Sequence, residues 1–303
     1  MPLTALQTKI DNTKNFGATV ILHGKVYDDA ADKAKELQKE KGYTYIHPFD
    51  DDLVIAGQGT IGLEILNDNS NIDTIVVPIG GGGLISGIAI AAKSINKGIK
   101  VIGVQSEGSP SMVESIKKGE ILCLNAKTVA DGIQVKQPGQ KTFEYVKKYV
   151  DECVTVSEED IYNSIIYLME KHHCIVEGAG AVPVAAYMSG KIGNDRKNVC
   201  LVLSGGNIDI TVFSRIIERV LLEQKRRVYF QIEVNDKEGE IDKLLDVIHK
   251  EHVNVYYLVT SRQIFSSDLM KQIINITLEF QSEEVQKKVL KNLDEHGYSY
   301  KIL

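Results

Sequence analysis

The sequence has few cysteines, and their spacing excludes some classes of protein. Its 303 residues include four cysteines, which form neither a Cys-x-x-Cys pair nor a cluster with histidine. This spacing argues against a disulfide framework and against a zinc site, and it favours a reducing cytoplasm. We expect all four to be buried as small apolar side chains, namely Cys123, Cys153, Cys174 and Cys200.

Long apolar runs and concentrated basic segments are also missing. No run reaches transmembrane length, and the first fifteen residues lack the apolar core of a signal peptide. The net charge of -6 is spread along the chain, and the basic run at residues 225–227 is short. Because nucleic acids and anionic membranes bind to concentrated basic faces, we expect neither as a partner.

Residues 1–222 instead show apolar strands that alternate with helices. Strands are predicted at residues 18–22, 43–47, 72–78, 100–104, 153–156 and 198–203. Helices are predicted at residues 8–15, 28–41, 60–66, 84–95, 111–118, 141–150, 158–170, 180–188 and 210–222. Continuous apolar strands alternating with helices predict an α/β fold with a parallel sheet covered on both faces.

The pattern changes after a polar stretch near residue 223. Strands are predicted at residues 228–234, 254–259, 273–278 and 298–302, with helices at residues 240–250 and 283–295. The order βαββαβ is that of a ferredoxin-like unit. We therefore predict two domains, residues 1–222 and residues 223–303.

Four glycines, Gly80, Gly81, Gly82 and Gly83, followed by Leu84, stand between a predicted strand and a predicted helix. Glycines allow backbone N–H groups to surround an anion, and the N-terminus of the next helix adds partial positive charge. Neither the P-loop lysine nor the Gly-x-Gly-x-x-Gly fingerprint fits this stretch. We predict a phosphate site without a nucleotide rather than a ligand-free turn, because four successive glycines are costly to order.

Three other polar motifs have two interpretations each. Ser204 follows a predicted strand, where its hydroxyl could bond a ring nitrogen, although taken alone the motif favours a helix N-cap. Glu177 precedes a predicted helix, and simple capping is the alternative to a role in a site. His47 and residues 50–52 could bind a cation, but a solvated turn is the simpler interpretation, and we predict no metal site.

Together, the motifs resemble the threonine dehydratase (threonine ammonia-lyase) family of pyridoxal-phosphate enzymes, which have fold type II, the fold of the tryptophan synthase β subunit. The resemblance covers residues 1–222. It is carried by His47-Pro48-Phe49-Asp50-Asp51, Ala56-Gly57-Gln58-Gly59-Thr60, Pro78-Ile79-Gly80-Gly81-Gly82-Gly83-Leu84-Ile85-Ser86-Gly87, Ala130-Asp131-Gly132-Ile133, Glu177-Gly178-Ala179-Gly180-Ala181 and Ser204-Gly205-Gly206-Asn207.

The resemblance implies pyridoxal 5′-phosphate as cofactor. Residues 80–83 with Leu84 would hold its phosphate, and Ser204 would face its pyridine nitrogen. Glu177 and Gly132 would border the ring and the substrate. The implied reaction is deamination of L-threonine, and of L-serine, to 2-oxobutanoate or pyruvate and ammonia.

The chain departs from the family pattern at several positions. Family members carry a Phe-Lys segment with the cofactor-binding lysine, and a Ser-Gly-Asn-His loop, upstream of the position of Met1. We identify no catalytic residue and expect an incomplete N-terminal part, active only when that segment is supplied. A homo-oligomer, or pairing with a separate N-terminal segment, is implied. Gln105 replaces a cation-binding glutamate, so no bound cation is expected.

The tail resembles the ACT regulatory domain of some dehydratases, which implies an amino-acid effector. Residues 236–239 match its first turn, and Asn254 and Arg262 match its second strand, whereas Thr260 replaces a family histidine. Two alternatives stay open. The chain is either a non-catalytic amino-acid-sensing remnant that acts through this tail, or a lyase or racemase of the same fold that acts on serine.

Overall fold

The computed structural model describes residues 1–5, 7–25, 27–193, 196–261 and 270–303. The helices of its first part are α1 Gln7–Asn15, α2 Tyr27–Lys41, α3 Asp52–Asp68, α4 Gly83–Ile95, α5 Ser111–Lys118, α6 Gln140–Tyr149, α7 Glu158–His172, α8 Gly178–Met188 and α9 Ile210–Glu223. The strands are β1 Thr74–Pro78, β2 Lys100–Ser106, β3 Glu152–Val156 and β4 Val199–Leu201, and a 3₁₀ turn covers Asp131–Ile133. Within these ranges, no helix is long and apolar enough to cross a membrane.

The four strands form a parallel sheet in the order β3-β2-β1-β4. All five residues of β1 are buried, as expected for a central strand that is covered on both sides. Val76 and Ile102 pack into a core with α7, α8 and α9. Ile75 and Val101 point to the opposite face and pack with α4 and α6. The predicted parallel sheet with two covered faces is therefore confirmed.

Two predicted strands are wrong. Residues 18–22 and residues 43–47 have no regular secondary structure and pair with no strand in the described part of the chain. Their apolar side chains are largely solvent-exposed, and Ile46 retains 72% of its accessible surface. An apolar run forms a strand only where a neighbouring strand accepts its backbone hydrogen bonds, and the sequence pattern does not report that neighbour.

Helix α3 begins eight residues before the predicted start, because Asp51 caps it by accepting hydrogen bonds from the N–H groups of Leu53 and Val54. Gly57 and Gly59 therefore lie inside the helix. A Cβ atom on Gly59 would lie 3.1 Å from the carbonyl oxygen of Gly87 in α4. Glycine at this position therefore allows close packing of two helices.

The remaining residues form an antiparallel sheet in the order β6-β7-β5-β8. Its strands are β5 Arg227–Asn235, β6 Asn254–Ser261, β7 Lys271–Glu279 and β8 Ser299–Ile302, and its helices are α10 Glu240–His249 and α11 Glu283–Glu295. The predicted βαββαβ order is confirmed. Both helices share one apolar core with the strands, which includes Phe230, Leu244 and Leu293. Arg262, assigned to the second strand from the sequence, lies outside the described residues.

The cysteines differ in exposure, which corrects the expectation that all four are buried. Cys123 and Cys174 are exposed, because they lie in irregular segments outside the sheet and its covering helices. Cys153 and Cys200 lie in strands and are partly buried. Burial raises the pKa of the Cys153 thiol to about 12.

We expect a thiol reagent at pH 8 to modify Cys123 and Cys174 much faster than Cys153, since only the thiolate reacts. Stopped-flow labelling of the native chain, followed by peptide mass spectrometry, measures each rate. Denatured protein, in which all four thiols should react alike, serves as the control. Fast labelling of Cys153 in the native chain would contradict the structure.

Candidate active site

The four glycines lie at the carboxyl edge of the parallel sheet, between β1 and α4. Gly82 is the N-cap of α4 and has φ 98° and ψ -3°, in the left-handed region that favours glycine. A Cβ atom on Gly82 would lie 2.7 Å from Cε of Met112. One on Gly81 would lie 2.4 Å from the ring of Phe49. The backbone of this turn is therefore enclosed, and side chains are excluded from it.

The peptide N–H groups of the glycine turn are free. From Gly80 to Leu84, none donates a hydrogen bond to another described residue. They stand at the N-terminus of α4, where the helix dipole favours negative charge. Free donors beside a helix N-terminus form an arrangement suited to an anion such as phosphate.

Residues at the N-terminus of helix α6 hydrogen-bond to the backbone of the glycine turn. The hydroxyl of Thr142 donates a hydrogen bond of 2.6 Å to the carbonyl oxygen of Gly81. The N–H of Gly139 donates to the same oxygen over 3.4 Å. Because the carbonyl of Gly81 is occupied on this side, the turn keeps a fixed orientation.

Asp50 fixes the start of α6 from a distance of ninety residues along the chain. Its carboxylate accepts hydrogen bonds from the N–H groups of Gln140, Lys141 and Thr142, at 3.0, 2.9 and 3.1 Å. The Nδ1 atom of His47 in turn accepts the N–H of Asp50 at 2.8 Å. These two residues therefore act as supports for the glycine turn.

The neighbouring aspartates are also engaged in the fold. Asp51 caps α3, and the carboxylate of Asp52 pairs with Lys141 at 2.6 Å and accepts the hydroxyl of Tyr145 at 3.1 Å. The hydrogen bond from Lys141 lowers the pKa of Asp52. The side chains of Asp50, Asp51 and Asp52 therefore all accept hydrogen bonds within the fold. Across the described residues, no group of three metal-ligating side chains is found.

Glu177 lies at the start of α8 but does not cap it, since its side chain makes no capping hydrogen bond. A Cβ atom on Gly205 would lie 2.1 Å from Oε1 of Glu177, and one on Gly132 would lie 3.2 Å from the same oxygen. The carboxylate therefore occupies the gap between these two glycines.

Burial raises the pKa of Glu177, and the negative charge of Asp131 raises it further. Lys9 opposes this effect with its positive charge, and its Nζ lies 3.0 Å from Oδ2 of Asp131. Sequence reasoning included Asp131 in the motif beside Gly132 but missed its partner Lys9. They are 122 residues apart, and no local pattern connects them.

Replacing Glu177 with glutamine should stabilise the chain increasingly as pH rises. The raised pKa means that the folded state disfavours the carboxylate, so the wild-type carboxyl group becomes more unfavourable as pH rises from the unfolded-state pKa, about 4.3, to the raised folded-state pKa. Glutamine has nearly the same volume as glutamate and carries no charge. Urea unfolding between pH 4 and pH 7 measures the difference. The exposed Glu144 provides the control Glu144→Gln, which should show no such trend.

Ser204 is exposed and lies three residues beyond β4. It does not cap the next helix. Asp209 does, by accepting the N–H groups of Thr211 and Val212 at 2.8 and 3.1 Å. The N-cap interpretation of Ser204 is therefore wrong. Because β4 pairs in parallel with β1, Ser204 and the glycine turn lie at the same edge of the sheet.

The structure brings most of the predicted site residues together. A Cβ atom on Gly80 would lie 3.4 Å from the carbonyl oxygen of Gly132, which in turn borders Glu177. Glu177 borders Gly205, next to Ser204. A continuous edge therefore runs from the N–H donors of the glycine turn, past the half-buried carboxylate of Glu177, to the hydroxyl of Ser204.

Fold and site define an α/β enzyme of the pyridoxal-phosphate-dependent fold type II. Residues 1–205 match the family described as "Pyridoxal-phosphate dependent enzyme", and the chain belongs to this family. It is 43% identical to the L-threonine ammonia-lyase of Thermotoga maritima, over 100% of this chain and 76% of that protein. The resemblance to the threonine ammonia-lyase family is confirmed, and the homologues are lyases.

Solved structures agree with this assignment. The processed form of threonine deaminase isoform 2 from Solanum lycopersicum superposes with a TM-score of 0.67 at 37% identity, over 72% of this chain and 64% of that one. Maize serine racemase superposes with a TM-score of 0.67 at 32% identity, over 74% of this chain and 70% of that one. The expected fold type II is therefore confirmed.

Proposed function

We propose that this chain binds pyridoxal 5′-phosphate and takes part in the deamination of L-threonine and L-serine to 2-oxobutanoate or pyruvate and ammonia. The observation that carries the proposal is the row of free N–H donors from Gly80 to Leu84 at the N-terminus of α4. When bound, the cofactor supplies an electron sink for elimination at the β-carbon of a hydroxy-amino acid. The named activities of the homologues support the choice of substrates.

In this proposal the enclosed turn of residues 80–83, with Leu84, accepts the phosphate through backbone donors. Ser204 offers a neutral hydroxyl to the pyridine nitrogen at the same sheet edge. Gly132 leaves room for the ring, and the carboxylate of Glu177 borders the substrate. We assign no catalytic lysine among the residues of this site.

The test is a titration of the purified chain with pyridoxal 5′-phosphate, followed by absorbance, with threonine and serine turnover assayed on the same sample. Saturable binding with turnover supports the whole proposal. Binding without turnover supports the cofactor site only, and leaves the chain dependent on a further segment or acting as an amino-acid sensor. No binding at millimolar cofactor contradicts the proposal.

We further propose a domain boundary at residues 222 and 223, with residues 223–303 acting as an ACT-like regulatory domain that binds an amino-acid effector. The separate apolar core of the antiparallel sheet supports this division. A thermal-shift screen of the intact chain against the twenty amino acids tests the effector. No shift with any of them would contradict this part of the proposal.

We also propose that the chain assembles, either with copies of itself or with a separate N-terminal segment. Large apolar side chains near the N-terminus are exposed, including Phe16 at 91% and Leu53 at 84%. Light scattering of the purified chain gives the assembly state. Four free cysteines support a reducing cytoplasm as its location.

A further inference from the structure

Gln105 is a fully buried polar residue in the centre of the parallel sheet, with 0% of its surface accessible. Its Oε1 accepts the N–H of Val113, in the first turn of α5, at 2.9 Å. The N-cap residue of α5, Pro110, provides no side-chain cap. The amide oxygen of Gln105 therefore caps this helix from a neighbouring strand.

The other half of this amide is unsatisfied. Nε2 of Gln105 has no hydrogen-bond partner among the described residues. A buried donor without an acceptor is unfavourable, and an apolar side chain of similar volume would avoid this cost. The amide is therefore less favourable for stability at this position than an apolar side chain would be. What its oxygen contributes is the capping hydrogen bond to α5.

Helix α5 contacts the glycine turn directly. Met112 is fully buried and fills the space beside Gly82. A Cβ atom added to Gly82 would lie 2.7 Å from Cε of Met112. Because Met112 immediately precedes Val113, a shift in the first turn of α5 moves its side chain against the turn. The capping bond of Gln105 thus controls one contact of the proposed phosphate site.

The segment around α5 also holds the opposite side of the turn. The hydroxyl of Ser111 donates to the carbonyl oxygen of Val135 at 2.8 Å, and that of Ser109 donates to the carbonyl of Ile133 at 3.3 Å. A Cβ atom on Gly80 would lie 3.2 Å from Cα of Ile133. Both ends of the glycine turn therefore depend on where α5 begins.

We propose that Gln105 is a positioning residue for the phosphate site. It sets the shape of the glycine turn through α5, and its neutral amide adds no charge next to the turn. This inference rests on the proposed function, because it assumes that the turn binds the phosphate of the cofactor. It assigns to Gln105 no contact with cofactor or substrate.

The test compares Gln105→Met, which removes the capping oxygen at similar volume, with the wild type. We expect the dissociation constant for pyridoxal 5′-phosphate to rise about tenfold, with a similar loss for inorganic phosphate measured by calorimetry. Gln286→Met is the matched control, since Gln286 is also buried but lies in α11. This control should bind like the wild type even if it unfolds at a lower temperature.

A second variant, Gln105→Glu, keeps an acceptor for Val113 but introduces a buried negative charge. We expect its affinity to approach that of the wild type as pH falls from 8 to 5.5 and the carboxyl group becomes protonated, a trend that lost packing alone would not produce. If the wild type binds neither ligand, the proposed function fails. If it binds and both variants match it at every pH, this inference fails.

Discussion

Replacing Gly82 with alanine is expected to lower the affinity of the chain for pyridoxal 5′-phosphate by at least about tenfold. Gly82 has φ 98°, and an L-residue in this region costs on the order of 1–3 kcal/mol. The new methyl group would also lie 2.7 Å from Cε of Met112 and 2.8 Å from Cβ of Thr142. The turn must shift, and its N–H groups no longer converge on the phosphate.

Gly57→Ala is the matched control for this measurement. Gly57 lies on the exposed side of α3, where an added Cβ meets no atom within 4 Å. Because alanine is favoured over glycine in a helix interior, this variant should gain roughly 0.5–1 kcal/mol of stability and bind normally. Fluorescence titration and urea unfolding of both variants give the two quantities. If Gly82→Ala binds as tightly as Gly57→Ala, the phosphate does not lie at this turn.

Replacing Arg227 with alanine is expected to cost about 2 kcal/mol of unfolding free energy, because it leaves two facing carboxylates without their shared cation. Arg227, 8% exposed, bonds to Glu218 in α9 and Glu279 in β7. Its guanidinium lies 3.7 Å from the ring centre of Tyr256. It therefore joins the parallel-sheet part of the chain to the antiparallel sheet.

The loss should also depend on pH. The hydrogen bond from Arg227 lowers the pKa of Glu279. The stabilisation is present above the unfolded-state pKa of glutamate, about 4.3, and is lost as pH falls through the lower folded-state pKa. The difference between wild type and variant should therefore shrink in acid.

Arg226→Ala is the control for Arg227→Ala. Arg226 is more exposed and, in the described part of the chain, pairs with one carboxylate, that of Glu170, so its removal should cost under about 1 kcal/mol. Urea unfolding at pH 7 and at pH 3.5 measures both variants. Equal losses at pH 7 would show that Arg227 is no more than a surface ion pair.

Support of the site through distant residues could not be predicted from sequence. The aspartates of residues 50–52 suggested a solvated turn, whereas Asp50 caps a helix that begins at Gln140. A capping partner ninety residues away leaves no local pattern, since capping signatures describe only neighbours in sequence. The Ser204 motif, taken alone, favoured a helix N-cap, whereas Asp209, five residues later, caps α9.

The sequence alone determined the elements that depend on local periodicity and composition. Apolar runs such as residues 72–78 predicted buried parallel strands, and the four glycines between a strand and a helix predicted a phosphate site of backbone N–H groups, because periodicity and backbone sterics act within a few residues. Only the tertiary structure decided which apolar runs pair with another strand, and residues 18–22 pair with none of the described strands. It also decided that Glu177 lies between Gly132 and Gly205 and that Gln105 caps α5. Contacts of this kind depend on how whole helices and strands pack together. Packing brings together residues that are far apart in the sequence, and no local sequence pattern indicates such a contact.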